Sequence, residues 1–295
     1  MNEVPGRIEL ELRLRELSAR SPLWEAARLQ LCLEALELDA KLDTALTAGT
    51  PGPLHDARVA GRRLRAGAPL FQRIYPGAWR RAEARARRVV RALREPRDLD
   101  IRCARLRRLM RRLSGCRAPL ERRLQETTGA RLSTGGPVAA LGRAPLSSLL
   151  PELWRPRRAS SPEAERFVSV RMRELSLSAL HRIPMASVEG LGGVQHRLRI
   201  RGRALRYSME MMQWRLGEEA RWRVGVLRRG QDVLGELHDI DVFLEYLSPE
   251  KGLTSRGEEP CIRTARSVLE EERRRAFGRF LDLRGELEKA CRPFS

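Results

Sequence analysis

The chain has 295 residues, of which 58 are Lys or Arg and 38 are Asp or Glu, giving a formal net charge of +20. Only Lys41, Lys251 and Lys289 are lysines, so 55 of the 58 cations are arginine, the side chain that grips phosphate and carboxylate through two parallel hydrogen bonds. At 42% hydrophobic the chain can bury a core, which excludes a disordered polycation, and no apolar stretch approaches the ~20 residues of a membrane span.

Residues 1–20 carry acids and no apolar run of leader-peptide length, so a tail or short helix and a cytoplasmic location are expected. Ser21-Pro22 reads as an N-cap with proline at the first helical position, opening a helix over about 22–47 that the Gly49-Thr50-Pro51-Gly52-Pro53 break ends. Further helices are predicted at about 54–68, 78–94, 97–113 and 118–128. Residues 129–161 are rich in Gly, Pro and Ser and read as a linker, in which Leu146, Leu149, Leu150, Leu153 and Trp154 can form one short packed turn. Helix resumes at Ser161-Pro162, a second N-cap and proline pair. Ala, Leu, Arg and Glu dominate and β-branched residues never alternate in runs, so the fold class is all-α. The five cysteines are scattered with no C-x-x-C, so neither disulfides nor structural zinc are expected.

Shifting the sequence by 141 residues exposes an internal repeat. His55-Asp-Ala-Arg58-Val-Ala-Gly61-Arg62-Arg-Leu64-Arg65 lies over His196-Arg-Leu-Arg199-Ile-Arg-Gly202-Arg203-Ala-Leu205-Arg206. The same shift lays Glu95-Pro-Arg97-Asp98-Leu99-Asp100-Ile101 over Glu236-Leu-His238-Asp239-Ile240-Asp241-Val242, and Pro119 over Pro260. Two blocks at one offset imply a duplication, with a first helical repeat at 21–128 and a second at 162–292.

On a helix, His55, Arg58, Arg62 and Arg65 share a strip about 80° wide and about 15 Å long, and His196, Arg199, Arg203 and Arg206 repeat it. Ala57, Ala60, Gly61, Leu64 and Phe71 occupy the neighbouring face, where Gly61, like Gly202, suits close helix contact. Arg197 and Arg201 bring residues 196–206 to five arginines without an acid. A solvated helix face mixes Glu with Arg, because like charges at i,i+4 repel. These stripes therefore need anions from outside or carboxylates from another helix. The acids Glu95, Asp98, Asp100, Glu236, Asp239 and Asp241 are candidates for a supporting role, capping helices or holding Arg side chains extended. They are a poor metal site, since D-x-D on a helix turns the second side chain about 200° from the first. No nucleophile, base or metal set repeats, so no catalytic residue, metal or cofactor is expected.

These residues resemble the CHAD domain, an α-helical family named for its histidines. The resemblance lies in Leu54 to Arg65, Arg97 to Ile101, Leu198 to Tyr207 and Leu234 to Val242, and it spans about residues 20–290. It implies two four-helix-bundle halves related by a pseudo-twofold axis, binding inorganic polyphosphate without catalysis, with polyphosphate granules as a place of association. The residues carried over are His55, Arg58, Arg62, Arg63, Arg65, His196, Arg199, Arg203 and Arg206, with Arg201 added from the charge pattern. Ala204 and Arg94 depart from the family pattern, and Pro69 ends or kinks a helix the family continues. Glu9-Leu-Glu11-Leu-Arg13 is similar to the E-x-E-x-K signature of the CYTH triphosphatases that often precede CHAD domains, but twenty residues cannot build their strand tunnel. A nucleic-acid backbone is the weaker alternative partner, because aromatics are only 5% and no helix-turn-helix is evident.

Overall fold

Helix α2, Leu23–Ala48, carries apolar residues around most of its circumference and is buried accordingly. The computed structural model describes residues 5–135, 141, 145–154, 161–248 and 258–294. Pro22, not Ser21, precedes the first turn of α2, because the Ser21 hydroxyl accepts from the Ser18 amide at 3.0 Å instead. Gly49, at φ 60°, closes the helix in the left-handed conformation and returns its N–H to Ala45. Before it, α1 (Arg7–Arg15) buries Leu10 against α2. The ion pairs Arg7–Glu11 and Glu9–Arg13, each at i,i+4, place the E-x-E segment on a helix.

Helix α3, Pro51–Gly67, stops where Pro69 cannot continue it, and a 3₁₀ turn, Ala68–Phe71, follows. Helices α4 (Pro76–Ala92) and α5 (Arg94–Arg112) are separated at Leu93, and α6 spans Arg117–Ser133. Residues 129–133 of the expected linker thus continue a helix. The expected packed turn forms as a 3₁₀ turn, Leu146–Leu149, and α7, Leu150–Leu153. Asp39 of α2 caps it by accepting from the amides of Leu146 and Ser147 at 2.9 and 2.8 Å. The rest of the linker lies outside the described residues, apart from Thr134, Gly135, Leu141, Pro145, Trp154 and Ser161.

Ser161 caps α8, Pro162–Leu180, by accepting from the Ala164 amide at 3.2 Å. Short α9, Ile183–Ala186, leads to α10, Gly192–Met211, and α11, Gln213–Tyr246, which breaks at Gly217 with φ 66°. Helix α12 is Glu259–Ala290. The repeated blocks therefore sit on α3 with α5, and on α10 with α11. Asp100 holds Arg131 at 2.8 Å in the first block, and Asp241 holds Arg273 at 2.6 Å in the second.

The fold is all-α, and no helix among the described residues is long and apolar enough to cross a membrane. The main core runs without interruption from α1–α4 into α8 and α10–α12, so both repeats share it. A smaller core joins Leu106, Leu109 and Leu120 to Ile240, Phe243 and Ile262. At its edge Cys116 and Cys261 are joined as a disulfide, with Cα atoms 5.3 Å apart, inside the span such a bond requires. This corrects the expectation of no disulfides: the partners are 145 residues apart, a separation that leaves no spacing motif to read.

Candidate functional site

Helices α3 and α10 pack against each other, and at Gly67 the approach is so close that a Cβ would overlap the Met211 sulfur, 2.1 Å away. This lays the two stripes side by side. Arg58, Arg62 and Arg65 of α3 and His196, Arg199 and Arg203 of α10 line one cavity of about 410 Å³. Helix α5 adds Arg94, Asp98, Ile101 and Arg102, α4 adds Val90, and α11 adds His238, Asp239, Val242 and Phe243. Seven arginines thus face two aspartates.

The electrostatics follow from that imbalance. Burial pushes the guanidiniums of Arg62 and Arg203 down to about 10, and their mutual repulsion, with that of Arg58 and Arg199, pushes the same way. Arg58 is lowered for the same reasons. The His196 and His238 rings lie 4.1 Å apart at a tilt of 36°, and burial followed by neighbouring positive charge lowers both below the usual histidine value. Burial raises Asp239 against the pull of Arg199 and Arg105. Arg62 Nε and His196 Nδ1 are buried without a hydrogen-bond partner among the described residues. Several cations held together in partial desolvation, with donors unspent, make a site that an anion stabilises.

Other residues singled out in the sequence stand elsewhere. His55 is half-buried beside the cavity without lining it, and burial, Arg97 and Arg62 depress its pKa. Arg63 turns to the outer side of α3, where its Nε lies 2.6 Å from Glu34, a buried carboxyl that burial raises to about 7. Arg206 is held by Glu210 at 2.5 Å and Gln231 at 3.1 Å, and Arg201 is exposed away from the cavity. The acids divide as the D-x-D spacing requires. Asp98 and Asp239 face the cavity, while Asp100 and Asp241 turn away to brace α6 and α12. Glu95 is exposed, and Glu236 pairs with Arg279 at 2.7 Å.

Sequence reading passed over His238, Arg102 and the apolar wall of Val90, Ile101, Ile200, Val242 and Phe243. His238 carried a signal, since the 141-residue shift places it over Arg97, one cation-forming residue over another. The apolar wall carried none, because on one helix its residues read as ordinary core.

Fold and site together define a class: an all-helical domain in which two similar helices converge their cations on one cavity. The chain belongs to the CHAD domain family, whose sequence model matches residues 27–248. That family is one of binding domains associated with polyphosphate. The fold is similar to the crystal structure of the CHAD domain from the plant Ricinus communis, with a TM-score of 0.66, 21% identity and coverage of 93% of each chain. It is also similar to PptA from Streptomyces chartreusis, with a TM-score of 0.58, 17% identity and coverage of 89% of this chain and 99% of that one. No curated protein matches the sequence.

Proposed function

We propose that the protein binds inorganic polyphosphate, without catalysis, in the cavity between α3 and α10. The observation that carries this reading is the meeting of Arg58, Arg62, Arg65, Arg199 and Arg203, with His196 and His238, on one cavity where, among the described residues, only Asp98 and Asp239 oppose them. A phosphate chain brings one acceptor-rich anion after another to guanidiniums that now repel each other, and bidentate contacts replace repulsion with charge-assisted hydrogen bonds. At about 410 Å³ the space admits a thin chain and no nucleic-acid duplex, whose major groove alone is about 12 Å wide.

Within this reading Asp98 and Asp239 hold arginines apart and extended. A hydrolase would need a metal or an activated water at those carboxylates, and Asp239 sits among arginines that already use its charge. Competition at physiological salt between long-chain polyphosphate and duplex DNA tests the partner. Polyphosphate should displace DNA at far lower phosphate concentration, and equal competition would favour the nucleic-acid reading. Incubation with polyphosphate and Mg²⁺ should leave chain length unchanged. Phosphate release abolished by Asp98→Asn or Asp239→Asn would overturn the absence of catalysis.

A further inference from the structure

Helix α4 exposes five arginines, Arg80, Arg81, Arg87, Arg88 and Arg91, against one acid of its own, Glu83, with Arg81 paired to Glu152 of α7, and the same register 141 residues later is a natural control. There, Arg221 pairs with Glu218 at 2.6 Å, Arg229 pairs with Glu286, and Asp232 stands at the position of Arg91. Arg80, Arg88 and Arg91 of α4 are exposed, and no carboxylate among the described residues lies within ion-pair reach of them. A compositional bias towards arginine acts on both segments alike, so it does not account for carboxylates pairing Arg221 and Arg229 while none among the described residues pairs Arg80 or Arg88. Nor does the helix dipole, since α4 opens without an acid in its first turn and sets Arg80 and Arg81 just behind it, at the end where positive charge is disfavoured.

Geometry connects this face to the cavity. Arg80, Arg87 and Arg91 fall within a strip about 40° wide and about 16 Å long, with Arg88 beside it. The C-terminal end of α4 meets the cavity: Val90, about 100° round the helix from Arg91, and Arg94 just beyond both line the wall, and Arg58 donates to the Val90 carbonyl at 3.5 Å. Arg87 is tied to Glu83 at 2.6 Å, an exposed pair of the kind that exchanges partners at little cost.

We infer that Arg80, Arg87, Arg88 and Arg91 form an external track that carries the part of a long linear polyanion the cavity cannot hold, leaving over the first repeat only. This rests on the cavity as the primary site. A strip one side chain wide that runs towards a cavity wall matches a single phosphate chain, whereas the equivalent place on α11 sets Glu218, Asp232 and Glu286 beside its arginines and repels one.

The test compares tripolyphosphate, long-chain polyphosphate and a short DNA duplex on the full chain. Replacing Arg80, Arg88 and Arg91 together by Gln, a good helix former, should leave tripolyphosphate affinity within about twofold. Long-chain affinity should fall about five- to tenfold, and the slope of log affinity against log salt should shrink by about 2, as fewer counterions are released. The control, Arg221→Gln with Arg229→Gln, should change neither. Unchanged long-chain affinity and slope in the triple variant would overturn the track, as would a loss confined to the duplex, which would give the face to nucleic acid. Failure of the cavity itself reads differently: an Arg62→Gln, Arg203→Gln variant that still binds tripolyphosphate would remove the primary site, and the track as its continuation with it.

Discussion

The paired rings of His196 and His238 are the cavity-lining groups whose proton uptake falls nearest neutral pH. Burial comes first for both; the charge of His238, Arg199 and Arg203 then lowers His196, and Arg199 and Arg203 lower His238 against Asp241 and Asp98, so the unfolded chain takes up protons first as pH falls. Stability from this pair is therefore present above the unfolded histidine value of about 6.5 and is lost as pH drops through it. A bound polyanion reverses the preference by favouring imidazolium. Affinity for polyphosphate should accordingly rise between pH 7.5 and 5.5, by at most about tenfold per pH unit for each proton taken up on binding. Binding isotherms across that range should flatten when both histidines become Gln; a slope that survives would assign the proton to another group. Asp239, raised by burial, faces the same cavity and would act in the same direction at lower pH. At this scale the sequence was partly legible. Spacing placed Arg58, Arg62, Arg65, Arg199 and Arg203 on the strips that line the cavity, but Arg206, on the same strip, is captured by Glu210. Arg63, brought in by the family resemblance and not by spacing, lies off the strip and pairs with Glu34, whose nearness depends on tertiary packing that helical periodicity does not encode.

The glycines of the repeated motif separate sequence logic from packing at the scale of the helix. Both were expected at close helix contacts, and the structure supports this for one. A Cβ at Gly61 would lie 2.9 Å from Val90 Cγ2, with the Ala86 carbonyl at 3.6 Å, and β-branched Val90 has little rotamer freedom to yield. Gly61→Ala should destabilise by about 1 kcal/mol net, as overpacking of about 1–3 kcal/mol outweighs about 1 kcal/mol of helix propensity. At Gly202 the nearest atom, Leu227 Cδ2, is 4.0 Å away, so propensity prevails and Gly202→Ala should stabilise by up to about 1 kcal/mol. Denaturation midpoints moving in opposite directions would verify both, and two shifts of the same sign would show that the contact at Gly61 relaxes. Helix positions were legible because proline, glycine and capping serine mark chain breaks chemically. The fusion of the second repeat's central helices into α11 was not, because nothing comparable to Pro96, which falls in the first turn of α5, stands in that stretch.

For the molecule as a whole, the decisive fact is that the segments carrying the two similar motif blocks share a core and a cavity. The Cys116–Cys261 bridge closes a loop of 145 residues beside the smaller core, for which the chain-entropy estimate is about 5 kcal/mol. Cys116→Ser should lower the denaturant midpoint, and reductant should bring the unaltered protein to the same value; insensitivity to reductant would mean the thiols are not joined. The shared cavity also changes what the duplication predicts for binding. Two stripes set end to end would each seize a different stretch of polyphosphate, and affinity would climb until the chain spanned both. Packed side by side across α3 and α10, they line one cavity, so on the proposed function both would meet the same few phosphates of even a short chain. Neutralising Arg58, Arg62 and Arg65 should therefore weaken tripolyphosphate as well as long chains, and neutralising Arg199 and Arg203 should do the same, each reducing the salt slope. Combining the sets should cost less than the sum of the two, because the second set loses a ligand the first has already released, and residues in one network do not contribute independently. Strict additivity, with helical content by circular dichroism unchanged, would show that the two stripes act as separate sites.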